Sequence, residues 1–286
     1  MKQHSVCWNV VYLCLVCSLV FTACSVCRAQ DKENPVTIPD FLNTMKKNAA
    51  ETFLALSDGG TSTVKTYSFP KGTAELTVIR GGAVEKATIL QLNLKGIKPK
   101  GFAAAADGVV IQMEIFPANP HCPMGHFNTE WQSADVTQYH TNLDLFPALE
   151  SREDLDAVRK AMDAVAERHG RDKDALRTGL DVHYNMDHFD SPLASKTGFK
   201  LKALTEKDRD LFTDAYQTFF DSYIDIIKKR QDTDFGEKEE AFKLKRNARW
   251  FEYITLKDGA FKMAQAIGIP PEVLVGFSYP PAAVFE

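Results

Sequence analysis

One short segment of the 286-residue chain concentrates side chains that can do chemistry: residues Asn119–Asn128, which read NPHCPMGHFN. Its two prolines restrict the backbone of a tight loop, and a strand pattern follows. Side chains two residues apart on a strand point to the same face, so His126 and Asn128 lie side by side. An imidazole and an amide placed this way can hold a polar substrate or transfer a proton. The alternative is an ordinary half-buried strand with a hydrogen-bonded histidine, and spacing alone favours that alternative.

Other well-known catalytic patterns are missing from the sequence. There is no glycine-rich dinucleotide loop, no phosphate loop and no Gly-x-Ser-x-Gly elbow. His121 and His126 flank a turn, and His183 and His188 are five residues apart, but neither spacing is a zinc signature. The sequence therefore predicts neither a resident metal nor an organic cofactor.

The N-terminus carries the pattern of an export signal. Five of the six cysteines fall within residues 1–27, around an apolar run that follows Lys2 and is short for a membrane span. Cleavage after Ala29 is the first expectation. The alternatives are a lipoprotein box that leaves an acylated Cys24, and a retained N-terminal anchor. We therefore expect a periplasmic or secreted protein that touches a membrane only through a lipid anchor, if it has one.

Removing this signal makes the remaining chain more acidic. Two of the 34 basic residues and none of the 38 acidic ones lie in residues 1–29, so the net charge falls from −4 to −6. Nucleic-acid binding needs a basic surface, so it is excluded as a general function. Cys122 is then the one cysteine left, so an internal disulfide is excluded.

Hydrophobic spacing predicts one α+β domain over residues 39–286, after a polar lead-in at 30–38. A helix is expected over residues 39–56, followed by five strands and then a mainly helical half. The predicted strands are Thr63–Phe69, Thr73–Arg80, Val84–Leu94, Val109–Phe116 and Gly125–Trp131. The predicted later elements are helices Glu150–Arg168, Asp172–Tyr184 and Thr205–Lys229, a strand Arg249–Leu256, and short helices at Phe261–Ile267 and after Pro270.

The segment Asn119–Asn128 resembles the Asn-Pro-His-x-Pro-x-x-His-x-Asn signature of the oxygen-dependent coproporphyrinogen oxidases. Four further stretches resemble that family in the same order along roughly residues 40–286. They are the arginine-glycine hairpin with its Glu-Lys pair at Val78–Ala87, the Asp-Leu-Thr-Pro segment at Asn142–Pro147, the Arg-x-x-Glu-Phe strand at Arg249–Tyr253 and the terminal Leu-Pro-Pro at Tyr279–Pro281.

The resemblance implies a fold and an activity. It implies a large flat antiparallel sheet flanked by helices on both faces, a homodimer and a deep cleft for a tetrapyrrole. Members of the family serve heme biosynthesis by decarboxylating two propionates of coproporphyrinogen to vinyl groups. They use molecular oxygen as co-substrate and no metal or organic cofactor.

The resemblance also assigns roles to individual residues. His126 matches the histidine proposed for acid–base work, and Asn128 the neighbouring substrate contact. Asp144 matches an aspartate that binds pyrrole N–H groups, where a carboxylate can accept several hydrogen bonds. Arg249, with the nearby Lys243, Lys245 and Arg246, is placed to meet propionates, although a solvated basic face explains these residues equally well.

Three departures from the family pattern concern substrate binding. Glu130 stands where the family has an arginine, and Gln112 where it has a serine. The family's arginine- and glycine-rich segment is not recognisable, and Tyr184–Leu193 stands in its place. A tetracarboxylate would lose cationic partners by these changes, while Glu130 would suit a less acidic substrate with a cationic group.

Three hypotheses follow for the function. An exported coproporphyrinogen oxidase-like enzyme rests on His126, Asn128 and Asp144. A protein that binds heme, porphyrin or another ligand without turnover rests on Glu130, the lost segment and the export signal. A structural or interaction protein with a vestigial cleft is the third.

Overall fold

The computed structural model describes residues 37–97, 105–133, 138–149 and 151–285. The predicted export signal and most of the lead-in lie outside these residues. The chain divides into two units, Met1–Asp40 and Phe41–Glu286. In the described part of the first unit, the Asp40 amide donates to Thr37 Oγ1 at 3.2 Å, which caps the first turn of a helix. All that follows concerns the second unit.

A seven-stranded antiparallel sheet forms the centre of the second unit, with every strand beside its neighbour in sequence. The α+β prediction is confirmed. The strands are β1 (Thr61–Phe69), β2 (Gly72–Gly81), β3 (Val84–Ile97), β4 (Ala106–Pro117), β5 (Met124–Ser133), β6 (Gln138–Phe146) and β7 (Lys200–Leu204). The first five match the predicted strands closely, whereas β6 and β7 were not predicted.

Helices precede the sheet and follow β6. They are α1 (Ile38–Leu56), α2 (Arg152–Arg168), α3 (Lys173–Arg177), α4 (Leu180–His183), α5 (Arg209–Arg230), α6 (Glu237–Leu256), α7 (Gly259–Ala266) and α8 (Pro271–Ser278), with a 3₁₀ turn at Glu206–Asp208. No helix in the described ranges is both long and apolar enough to span a bilayer.

Helices cover both faces of the sheet, as the family resemblance implies. On one face, Phe127 of β5 packs against four aromatic rings of α5, with ring centroids 5.1–5.9 Å apart. Helix α1 joins this layer through Phe53, whose ring is 5.9 Å from that of Phe220. On the other face, leucines of β2 and β3 form a core with α6, α7 and α8, and these helices contribute the aromatic residues Trp250, Tyr253, Phe261 and Phe277.

The predicted strand at Arg249–Leu256 is wrong, because this segment is the second half of α6. Its buried residues, Ala248, Trp250, Tyr253 and Ile254, recur at helical rather than alternating spacing and pack on the sheet. The helix begins upstream at Glu237 with acidic residues in its first turn, which favour a helix N-terminus. The predicted strand covers only the last eight residues of this 20-residue helix.

The predicted helix over Asp172–Tyr184 is also corrected, because it divides into α3 and α4. Thr178 has an extended ψ of 124° and Gly179 a left-handed φ of +82°. Neither conformation continues an α-helix. The break turns α4 so that Tyr184, at its end, becomes fully buried.

A glycine in the family-like segment is required by the packing of α5. A Cβ added at Gly125 would lie 2.7 Å from two ring atoms of Tyr223. That ring is held in place because its hydroxyl donates to the Pro123 carbonyl at 3.1 Å. We therefore expect Gly125→Ala to lower the free energy of unfolding by about 1–3 kcal/mol, measured by urea titration.

Gly259→Ala is the matched control for this change. No atom lies within 4 Å of its added Cβ, and Gly259 is the first residue of α7. Alanine should leave the unfolding midpoint there unchanged or raise it. Equal stability of the two variants would show that β5 and α5 are not in close contact.

Candidate functional site

Polar side chains of three neighbouring strands form a row across one face of the sheet. In the register of β4 and β5, Gln112 lies opposite Asn128 and Glu114 opposite His126. On the other side of β5, Asn142 of β6 lies opposite Asn128. Side chains directly opposite each other on antiparallel strands share a face, so pairing alone assembles this row.

The row forms one wall of a cavity of about 200 Å³ between the sheet and helices α6, α7 and α8. The rest of the lining is mostly apolar, with Leu90 and Leu92 from the sheet, and Ile254, Phe261, Leu274 and Phe277 from the helices. His183 and Tyr184 from the end of α4, and Asp258 before α7, also line it. The cavity is thus apolar, with its polar groups concentrated on a few side chains.

The three residues in the middle of the row are linked by hydrogen bonds. Gln112 Nε2 donates to Asn128 Oδ1 at 2.8 Å, and Asn128 Nδ2 donates to Glu130 Oε1 at 3.3 Å. Burial raises the pKa of the Glu130 carboxyl, and the bond from Asn128 offsets part of that rise. The carboxyl that replaces the family arginine is therefore inside the site and favours its neutral form.

Beside them lies a cluster of buried polar atoms without partners: Glu114 Oε2, His126 Nδ1 and the Tyr184 hydroxyl. His126 Nδ1 is 3.7 Å from Glu114 Oε1, too far for a hydrogen bond. Leaving a buried polar group unpaired costs about 1–3 kcal/mol. A ligand that hydrogen-bonds these atoms would recover that free energy.

Burial also sets the protonation states of this cluster. It raises the pKa of Glu114 well above its ordinary value and lowers that of His126 to about 4. It also raises the pKa of the Tyr184 phenol. Near pH 7 the cavity thus presents a neutral imidazole and a neutral phenol, and burial favours the neutral form of the Glu114 carboxyl.

Aromatic rings enclose His126 and keep water from it. Its ring centroid lies 5.6 Å from that of Tyr184, 5.5 Å from that of Trp250 and 6.1 Å from that of Phe146. Trp250 is itself fixed, because its Nε1 donates to the Ser278 carbonyl at 3.0 Å. These rings account for the low pKa of His126 and hold the imidazole in one orientation.

Asp144 lies opposite His126 in the β5–β6 register but does not line the cavity. Its Oδ1 accepts from the Leu145 amide, from the Ser195 hydroxyl, and from both the amide and hydroxyl of Thr197, at 2.9–3.2 Å. Its Oδ2 accepts from the Lys196 amide at 3.0 Å. The carboxylate predicted to bind pyrrole N–H groups is thus fully used in holding residues 195–197.

Arg249 also lies outside the cavity lining. Its guanidinium pairs with Asp190 and stands 5.5 Å from the ring centroid of Phe189. Lys243 pairs with Glu85 and Glu240, and Arg246 donates to the carbonyls of Pro192 and Leu193. Arg246 and Arg249 thus hold the segment that stands in place of the family's arginine-glycine motif. The described lining of the cavity contains no lysine or arginine.

Of the six predicted site residues, four come together: Gln112, His126, Asn128 and Glu130 line the cavity, whereas Asp144 and Arg249 do not. Sequence reasoning missed Glu114, Asn142, His183, Tyr184 and Asp258. Glu114 had a signal, because it is the only charged residue in the apolar strand VVIQMEIF and follows Gln112 at strand spacing. The others come from β6, from the end of α4 and from the residue before α7, so no local pattern joins them.

Cys122, the one cysteine of the described chain, has a packing role. It is buried, and burial raises the pKa of its thiol to about 12, so it is not a reactive thiolate. In the part of the chain that the structure describes, no three histidine, cysteine or carboxylate side chains are placed to hold a metal ion.

Comparison with protein families identifies the scaffold around this cavity. The family model described as coproporphyrinogen III oxidase matches residues 41–285. The match includes every strand of the sheet and the helices that cover the cavity. The resemblance found in the sequence motifs is confirmed.

The bonding of Asp144 leads to a stability prediction. Asp144→Ala would leave the donors of residues 195–197 buried without an acceptor, and we expect a loss of roughly 3–5 kcal/mol in the free energy of unfolding. Urea titration measures this loss. Asp225→Ala, which removes an exposed carboxylate of α5, is the control and should leave the midpoint close to that of the wild type. An Asp144→Ala protein of wild-type stability would contradict the structural role.

The raised pKa of Glu114 predicts a dependence of stability on pH. The folded chain keeps the Glu114 proton where the unfolded chain, with an ordinary value of 4.5, has released it. Unfolding then releases a proton, so this group's contribution to stability falls as pH rises above 4.5, by at most about 1.4 kcal/mol per pH unit. His126 acts in the opposite sense between about pH 4 and its ordinary value of 6.5.

Comparing Glu114→Gln with the wild type isolates the Glu114 contribution. Between pH 5 and pH 8, the variant should gain stability relative to the wild type in urea titrations. Glu75→Gln is the control, because Glu75 pairs with Lys46 on the opposite face of the sheet. Its free energy of unfolding should differ from that of the wild type by the same amount at every pH in this range. If the free energy of unfolding of Glu114→Gln also differs from that of the wild type by a constant amount across this range, Glu114 is ionised in the folded protein.

Proposed function

Because the chain belongs to the coproporphyrinogen III oxidase family, we propose that it uses that scaffold to bind a small, mostly apolar molecule and does not decarboxylate coproporphyrinogen. The observation that carries the proposal is that the described lining of the cavity holds the carboxyl groups of Glu114, Glu130 and Asp258 and no lysine or arginine. Carboxylate ligands are normally bound by arginine or lysine.

The size of the cavity supports the same proposal. Its volume is about 200 Å³, and an apolar cavity of about 150 Å³ is enough to bind benzene. There is room for one ring with a short substituent. A tetrapyrrole has four rings and eight side chains, and ligand sites for larger molecules measure about 300–1,000 Å³.

The competing function is oxidative decarboxylation of a porphyrinogen with molecular oxygen. It is favoured by His126 and Asn128, which share the cavity face, and by the family itself. It requires a pyrrole-binding carboxylate, but Asp144 already accepts five hydrogen bonds from its own chain. It would also place propionates beside Glu130, in a described lining that offers no lysine or arginine to pair with them.

A direct assay separates the two functions. Purified protein lacking residues 1–29 is mixed with coproporphyrinogen in air, and oxygen uptake and vinyl products are measured. We expect neither, and no tight coproporphyrin binding in an absorbance titration. Turnover that is lost in His126→Asn would overturn the proposal in favour of the oxidase.

A second arm tests whether the cavity takes a ligand of one ring. Benzyl alcohol should raise the melting temperature of the wild type, since a ligand that binds only the folded state stabilises it. Ala264→Leu fills part of the cavity and should abolish the shift, because Ala264 lines it. Ala282→Leu, at an exposed position, is the control and should keep the shift. An equal shift in all three proteins would place the binding elsewhere.

A further inference from the structure

We propose that the ligand of this cavity is an organic cation, a protonated primary amine on a body about the size of one ring, whose ammonium group binds Glu114, His126 and Tyr184. The inference rests on the proposed ligand-binding function and specifies the chemical class of the ligand. It starts from the three unpartnered buried atoms, Glu114 Oε2, His126 Nδ1 and the Tyr184 oxygen.

An ammonium group matches these atoms in number and in kind. It offers three N–H donors and no acceptor. A carboxylate oxygen, an imidazole nitrogen without a proton and a phenol oxygen can each accept one hydrogen bond. Glu114 and His126 are cross-strand neighbours, and the rings of His126 and Tyr184 are 5.6 Å apart, so all three lie at one end of the cavity. An alcohol has one donor, and a carboxylate ligand has none.

The charges around Glu114 favour a cation. The titratable groups facing it are Lys86 from β3, His126 from β5, Tyr184 from α4, Tyr253 from α6 and Asp258 before α7. Lys86, the cation among them, is not in the cavity lining, and its ammonium donates to the Phe277 and Tyr279 carbonyls at the end of α8. His126 stays neutral because of its burial. The aromatic faces of Tyr184, Phe261 and Phe277 in the lining attract a cation further.

Binding is coupled to proton release. Burial of Glu114 favours its protonated form in the empty cavity, whereas the ligand arrives as an ammonium ion. The Glu114 proton passes to the solvent, and a carboxylate–ammonium pair forms with no net charge. Affinity must therefore rise with pH until the free amine itself loses its proton.

Three probes with the same ring and different charges test the proposal: benzylamine, benzyl alcohol and benzoate. By calorimetry, we expect benzylamine to bind at least about tenfold more tightly than benzyl alcohol, since hydrogen bonds to charged groups are about twice as strong as neutral ones. Benzoate should not bind. Titrations in two buffers of different ionisation enthalpy should show about one proton released per benzylamine bound.

Two variants test whether Glu114 causes the preference for benzylamine over benzyl alcohol. Glu114→Gln should reduce the benzylamine-to-alcohol ratio to within about threefold and abolish proton release, while its retained binding of benzyl alcohol shows that the cavity is intact. Glu75→Gln, on the opposite face of the sheet, should keep the full ratio.

The outcomes distinguish this inference from the function on which it rests. Equal or tighter binding of benzyl alcohol or benzoate would overturn the amine class and leave the ligand-binding function standing. Failure of all three probes to bind would overturn both. An amine preference unchanged in Glu114→Gln would overturn the assignment of the ammonium site.

Discussion

Burial of the polar row on β4 and β5 beneath three helices is the constraint on which the site depends. The row pairs Gln112 with Asn128 and Glu114 with His126, and strand register fixes both pairs. Helices α6, α7 and α8 then remove these groups from water without supplying all the hydrogen bonds they need. The same desolvation raises the pKa of Glu114, lowers that of His126 and leaves polar atoms of Glu114, His126 and Tyr184 without hydrogen-bond partners.

Hydrogen bonds, as well as apolar contacts, hold the helices over this face of the sheet. Lys86 of β3 reaches the carbonyls at the end of α8, where a cation also opposes the negative end of the helix dipole. Burial lowers the pKa of Lys86 to about 8, so holding this charge there has a cost in free energy. Trp250 ties α6 to the same end of α8 through Ser278. These bonds join the sheet and two of its covering helices around the cavity.

The scaffold matches the coproporphyrinogen III oxidase family, but the described lining of its cavity contains no lysine or arginine. Glu130 stands where a propionate-binding arginine is expected, and the basic residues of α6 pair with the segment 189–193 or with Glu85 and Glu240. Asp144 closes the segment 195–197 against β6. Function is therefore to be argued from these side chains, because one fold serves many ligands.

The sequence by itself determined the family, the α+β class, five of the strands and the shared face of His126 and Asn128. These features depend on local spacing: two-residue alternation in a strand, helical periodicity in α1, α2 and α5, and short motifs in a fixed order. The export signal at residues 1–29 and the homodimer stay predictions of the sequence and of the resemblance.

Only the tertiary structure decided what the site contains. Glu114, Tyr184 and Asp258 are far apart in sequence and meet because α4, α6 and α7 fold over one face of the sheet. Asp144 matches a site motif, yet it bonds to residues 195–197, more than fifty positions later. Desolvation decides the protonation states of the acids and which residues face the ligand. It depends on packing between distant segments, which no local pattern contains.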